Sequence, residues 1–164
     1  MLAEKQNQEA QNVSILEIFK TTDSYTLNQQ LYELIESIYL DIHSKYEKSP
    51  HSTLEYINRN ATILIDRNEI IITNTRKDGV RQYCINRYDS INKKPVYTIT
   101  KFKSNIQTDS LTLSCNPRDT KHKKRVRLIE SSLSHGLENF RKDTKSLLSE
   151  IFNIHHPINA RQQN

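Results

Sequence analysis

The spacing of apolar residues changes twice along this chain, and that change restricts the fold more than any other feature of the sequence. Near the N-terminus, six apolar residues recur at intervals of one, three and four: Leu27, Leu31, Leu34, Ile35, Ile38 and Ile42. Such spacing is typical of one face of a helix. Thr26 with Gln29 fits a capping box, with Asp23 and Ser24 as alternative caps. We predict a helix over residues 26–47, preceded by a short amphipathic piece at 13–20.

In the middle of the chain the period falls to two, which favours strands. Short β-branched runs alternate there with turn signals such as Lys77-Asp78-Gly79. The predicted strands cover residues 62–65, 70–73, 80–88, 96–103 and 111–115. In the last third, apolar residues recur at threes, fours and sevens from Val126 to Ile151. That spacing predicts one long helix, interrupted at Gly136.

These elements predict an α+β fold with N-terminal helices, a small antiparallel sheet and a long C-terminal helix. We divide the chain into three parts. Residues 1–59 form an acidic helical part that could dimerise. Residues 60–155 form a basic sheet-plus-helix domain, a candidate for nucleic-acid binding, and residues 156–164 form a tail.

The positive charge is concentrated in one segment. The chain has 24 Lys and Arg against 19 Asp and Glu. Residues 1–59 contain five basic and nine acidic side chains, a net of −4, whereas residues 76–127 contain 14 and four, a net of +10. An asymmetry of this kind suggests a polyanion-binding surface. The alternative is a solvated strand surface that carries lysines for solubility.

Two groups of cations are candidates for contacts with nucleic acid. Alternate residues of a strand share a face, so Arg81, Tyr83 and Arg87 are predicted to lie together, opposite Lys101 and Lys103 of the next strand. Such a surface can enter a major groove, where arginine can bind a guanine edge. The alternative is the wet face of a two-layer domain, with Tyr83 partly buried.

The second group surrounds the start of the predicted C-terminal helix. It includes Lys121, Lys123, Lys124, Arg125 and Arg127. Cations at a helix N-terminus oppose the helix dipole, and an external phosphate would offset that cost. A flexible, solvated linker is the alternative.

The segment Gly79-Val80-Arg81-Gln82 heads three predicted strands that are followed by a helix. In this it resembles the start of the AP2-type DNA-binding domain of plant regulators and of phage homing endonucleases and integrases. The resemblance covers about residues 79–140. It implies a three-stranded sheet, backed by one helix, that reads the major groove. It would place Arg81, Tyr83 and Arg87 on the first reading strand, and Tyr97, Lys101 and Lys103 on the second.

Several other functions are excluded or disfavoured. Two glycines cannot form a phosphate-binding loop or a dinucleotide fingerprint. Cys84 and Cys115 lack the spacing of a zinc finger, and we expect no metal and no cofactor. The sequence has neither a signal-peptide pattern nor an apolar run long enough to span a bilayer, so we expect a cytoplasmic protein with no membrane partner.

We therefore predict a non-enzymatic, sequence-specific DNA-binding protein, a homodimeric transcriptional regulator of phage or mobile-element type. Double-stranded DNA is the expected partner, with RNA as another option. A protein-interaction module, such as a bacterial effector, a chaperone or a phage inhibitor of a host complex, is the alternative function. The predicted nucleic-acid-binding residues are Arg76, Arg81, Tyr83, Arg87, Lys93, Lys94, Lys101, Lys103, Lys121, Lys123, Lys124, Arg125 and Arg127.

Overall fold

A computed structural model of the chain describes residues 2–46, 53–89, 95–116, 125–133 and 136–155. In chain order the elements are α1 (Leu2–Lys20), α2 (Ser24–Tyr46), β1 (Thr53–Asn58), β2 (Ala61–Asp66), β3 (Glu69–Arg76), β4 (Gly79–Tyr88), β5 (Val96–Lys103), β6 (Ile106–Asn116), β7 (Arg125–Ser131) and α3 (Leu137–His155). The seven strands form one antiparallel sheet in which every strand pairs with its neighbours in sequence. The fold is therefore α+β.

Buried and less buried residues alternate along the strands. Because alternate residues of a strand share a face, one face of the sheet forms the core. Ile72 of β3 lies opposite Ile63 of β2 and Tyr83 of β4. These three side chains are at most 1% exposed. We call this side the core face; its buried members are Ala61, Ile63, Ile65, Ile70, Ile72, Tyr83, Ile85, Tyr97, Ile99, Leu111, Leu113 and Cys115.

The helices cover the core face. Tyr32 and Tyr39 of α2 pack edge-on against the ring of Tyr97 in β5, with ring centroids 5.4 and 5.7 Å away. Glu150 of α3 accepts a hydrogen bond from Tyr83 in β4, and α1 packs against both α2 and α3. The opposite side, which we call the open face, is half-buried over most of β2 to β6. Its residues include Thr62, Leu64, Ile71, Thr73, Gln82, Cys84, Thr98, Thr100, Phe102 and Thr112.

Helix α2 begins close to the predicted position. The carboxylate of Asp23 accepts a hydrogen bond from the backbone N–H of Thr26 at 2.7 Å, so Asp23 provides the cap. That hydrogen bond also lowers the pKa of Asp23. None of the helices in the described ranges combines the length and the apolar composition that crossing a membrane requires.

The sheet is larger than predicted, and the C-terminal helix begins later. Residues 125–131 form strand β7, although the spacing of Val126, Ile129 and Leu133 suggested a helix. Val126 pairs with Cys115 of the preceding strand β6, and this pairing determines the conformation of the segment. Gly136 has a φ of +88°, a conformation outside the helical region, and α3 starts only after it.

Gly79 is required by the turn between β3 and β4. Its φ is +127°, and a Cβ atom placed there would lie 2.6 Å from the Oγ atom of Ser104. We expect Gly79→Ala to lower the free energy of unfolding by about 1–3 kcal/mol, because alanine is strained at this φ and also meets Ser104. Urea denaturation followed by circular dichroism would measure the change.

The matched control for Gly79→Ala separates strain from contact. In a Ser104→Ala background the Oγ atom is gone, so Gly79→Ala should cost less than in the native chain. An equal loss in both backgrounds would show that the contact with Ser104 contributes nothing.

Candidate nucleic-acid interface

The cations and tyrosines predicted to read DNA share one face, but it is the core face. Tyr83 lies opposite Lys101, and Arg81 lies opposite Lys103. Tyr83 is 1% exposed and Tyr97 is fully buried. A base cannot stack on either ring in this structure, which corrects the expectation that this face is a free reading surface. The reason is that the same face of these strands carries Ile85 and Ile99, which are buried under the helices. The polar residues next to them on this face are therefore covered as well.

A carboxylate of α3 binds two of these side chains, Tyr83 and Lys101. Glu150 Oε1 accepts hydrogen bonds from the Tyr83 hydroxyl and from Lys101 Nζ, both at 2.7 Å. Burial and the hydrogen bond to Glu150 raise the pKa of the Tyr83 phenol, which keeps it protonated as a donor. The Lys101 side chain is only 14% exposed. Both predicted reading residues are therefore already bound within the fold.

Arg81 and Lys103 meet a second carboxylate at one end of the sheet. The two terminal nitrogens of Arg81 bind the two oxygens of Asp78 at 3.2 and 2.8 Å, a bidentate pair. The hydrogen bond from Arg81 lowers the pKa of Asp78. Lys103 Nζ lies 3.9 Å from the same carboxylate, but its side chain is 47% exposed. Lys103 therefore remains accessible to an external anion, whereas Arg81 is occupied.

Arg87 occupies the opposite end of β4. Its Nε lies 3.3 Å from Asp89 Oδ1, and its guanidinium is 5.8 Å from the centre of the Tyr39 ring. Its cross-strand neighbour, Tyr97, donates a hydrogen bond to Glu36 of α2 at 3.4 Å. Arg87 therefore also contacts a carboxylate and an aromatic ring of the fold.

Exposed cations gather at three adjacent turns. Because the strands run antiparallel in chain order, the turns at residues 59–60, 77–78 and 104–105 lie at the same end of the sheet. The Thr75 N–H donates to the carbonyl of Asn60, and the Ser104 N–H to that of Val80, so these turns are held side by side. We define the basic end as the four exposed cations of this region: Arg59, Arg76, Lys77 and Lys103.

From β2 to β6, the open face does not add to this charge. The register places every lysine and arginine of β2 to β6 on the core-face side, so among the described residues of these strands the open face carries no cation. Asp66 and Glu69 are its carboxylates. A flat surface of threonines and half-buried apolar groups does not attract phosphate.

The remaining predicted cations divide into two groups. Lys93, Lys94, Lys121, Lys123 and Lys124 lie outside the described residues. Arg125 is the first residue of β7, and Arg127 is exposed on that strand. The argument that these cations oppose a helix dipole is wrong, because the segment leads into a strand.

The sequence prediction does not include Arg59, Lys77 or Glu150. Arg59 and Lys77 are separated by two strands, and only the order of the strands brings their turns to one end. The sequence does contain a signal for Glu150. This acidic residue lies within the apolar helix stripe, next to the buried Leu147, Leu148, Ile151 and Phe152. A carboxylate in such a position requires a donor from the core face.

Comparison with known proteins identified no relative of this chain. No protein-family model, no curated protein and no solved structure matches this chain. The resemblance of residues 79–140 to AP2-type DNA-binding domains stays a prediction.

Proposed function

We propose that the protein is a non-enzymatic DNA-binding protein that contacts the phosphate backbone through the basic end of its sheet. The observation that carries the proposal is the position of Arg59, Arg76, Lys77 and Lys103, which are exposed at the ends of neighbouring strands. Asp78 is the carboxylate of the β3–β4 turn, and Arg81 already binds it on both oxygens. The four cations of the basic end are therefore only weakly neutralised.

The dimensions of the basic end suit a nucleic-acid backbone. The β1–β2 and β5–β6 turns are four strands apart, which corresponds to about 19 Å at a strand spacing of about 4.8 Å. Duplex DNA presents one phosphate charge per 1.7 Å of its axis, so a row of this length faces about 11 charges. Contacts with the backbone position a protein without reading sequence.

The function that these contacts support is binding with little sequence preference. Arg81, Tyr83 and Lys101 bind carboxylates of the fold, and their side chains are largely buried, so they are poorly accessible to a base edge. A role as a sequence-specific regulator of phage or mobile-element type would require base contacts in addition to these backbone contacts. It remains a prediction from the sequence.

A salt series with duplex DNA tests this proposal. With about four phosphate contacts, a plot of log affinity against log salt concentration should have a slope near −3.6, a loss of about 150-fold between 50 and 200 mM salt. Lys77→Ala or Lys103→Ala should each make the slope shallower by about 0.9. Fluorescence anisotropy with a labelled duplex of random sequence would give both quantities.

Lys142→Ala is the matched control, because it removes an exposed cation of α3 whose side chain is 55% exposed and lies 3.9 Å from Glu138. It should leave the slope unchanged. An equal effect of Lys142→Ala and Lys77→Ala would contradict a localised interface. If double-stranded RNA binds more tightly than DNA in the same assay, RNA is the ligand instead of DNA. Absence of binding to either at 50 mM salt would reject the proposal and favour the protein-interaction module.

A further inference from the structure

Strand β7 is one edge of the sheet and pairs with β6 alone. Four consecutive residues of this strand, Arg127, Leu128, Ile129 and Glu130, are exposed; Leu128 is 38% and Ile129 is 59% exposed. Among the described residues, neither Arg127 nor Glu130 has an ion-pair partner. An unpaired strand edge with exposed apolar residues is a template for another strand.

An apolar groove lies directly beside this edge. It has a volume of about 350 Å³ and lies between β7 and the first turns of α2 and α3. Its apolar lining comes from Leu27 of α2, from Leu133, and from Leu137 and Phe140 of α3, together with Leu128 and Ile129. Apolar side chains that approach the edge of β7 would therefore be buried against a surface that already exists.

The register of β7 contains an extra residue that changes which side chains share a face. Arg127 lies opposite Ser114 of β6, and Glu130 lies opposite Thr112. Ser114 and Thr112 are two residues apart on β6 and therefore on the same face, whereas Arg127 and Glu130 are three apart. The bulge at Ile129 accounts for the difference, and it turns Arg127 and Glu130 to the same side of the sheet.

We propose that β7 pairs antiparallel with β7 of a second copy of this chain, so that Arg127 of each copy lies opposite Glu130 of the other. Residues that face each other in an antiparallel pair lie on the same side of the sheet. The bulge satisfies this condition for Arg127 and Glu130. A two-fold axis between Leu128 and Ile129 then forms two ion pairs, with the apolar side chains of both copies between them.

The charges select this arrangement against others. A parallel pairing in the same register would place Arg127 against Arg127 and Glu130 against Glu130, and like charges directly opposite each other are unfavourable. The antiparallel pairing opposes unlike charges at both positions. The sequence Arg-Leu-Ile-Glu is thus complementary to itself in the antiparallel direction only, which favours a second copy over an unrelated strand. This dimer is independent of the proposed DNA binding.

Charge reversal tests the pairing in the full-length chain. Arg127→Glu places two carboxylates opposite each other at both ends of the interface, and Glu130→Arg places two guanidinium groups there. Sedimentation velocity should show that the native chain is a dimer and that each single variant dissociates at least tenfold more readily. Mixing the two single variants should restore the dimer as a heterodimer, and the double variant with both changes should form a homodimer.

Several results would overturn the proposal. These are a native chain that is monomeric at about 100 μM, single variants that dimerise like the native chain, or a mixture of the two variants that stays monomeric. Lys142→Glu, a charge reversal on an exposed residue of α3, is the control and should leave the dimer intact. Circular dichroism would verify that each variant is folded. A monomer whose β7 instead binds an extended segment of another protein would also reject the second copy as the occupant.

Discussion

Replacing Ile72 with alanine is expected to lower the free energy of unfolding by about 2–5 kcal/mol. The Ile72 side chain is fully buried in β3, and its cross-strand neighbours are Ile63 and Tyr83. Truncation removes buried apolar surface and leaves a cavity under the helices that the surrounding side chains cannot fill completely. Guanidinium denaturation followed by circular dichroism would measure the loss.

The adjacent residue of the same strand provides the matched control. Ile71 lies on the open face, half-buried between Leu64 and Cys84. The same substitution there, Ile71→Ala, should lower the free energy of unfolding by about 1 kcal/mol, because the half-buried Ile71 side chain buries less apolar surface than Ile72 does. An equal loss of stability in the two variants would contradict the assignment of the core face. The substitution is the same in both, and only the face of the sheet differs.

Local patterns were sufficient to predict the elements whose hydrophobic period is unambiguous. The predicted helix over residues 26–47 matches α2 at Ser24–Tyr46, because one face of that helix is a continuous apolar stripe. The strands from β2 to β6 were predicted in the same way, since alternation is visible within a few residues. Segment 125–131 could not be predicted locally. Its spacing fits a helix as well as a strand, and its pairing with β6 decides between them.

The candidate site shows the same limit. Alternation within β4 and β5 was enough to place Arg81, Tyr83 and Lys101 on one face. That face is buried because its apolar residues pack under the helices, and the partners of its polar side chains are carboxylates distant in sequence. Glu150 is 67 residues from Tyr83, and Glu36 is 61 residues from Tyr97. No local pattern connects such positions, so the sequence alone did not show that Arg81 and Lys101 are largely buried.

Replacing Glu150 with glutamine is expected to lower the free energy of unfolding by about 1.5–3 kcal/mol. Glutamine can still accept the hydrogen bond from Tyr83, but it leaves the ammonium of Lys101 without its counter-charge. The Lys101 side chain is only 14% exposed and Glu150 is 30% exposed, so water replaces the lost partner incompletely. Urea denaturation followed by circular dichroism would measure the loss.

A double-mutant cycle isolates the contribution of the ion pair from other effects of the substitution. Lys101→Met retains most of the apolar stem and removes the charge, so in that background Glu150→Gln should cost less than in the native chain. Glu138→Gln is the control, because this exposed carboxylate lies 3.9 Å from Lys142 on the surface of α3, and its loss should change stability by less than about 0.5 kcal/mol. An equal cost of Glu150→Gln with and without Lys101 would show that the carboxylate does not stabilise the buried ammonium.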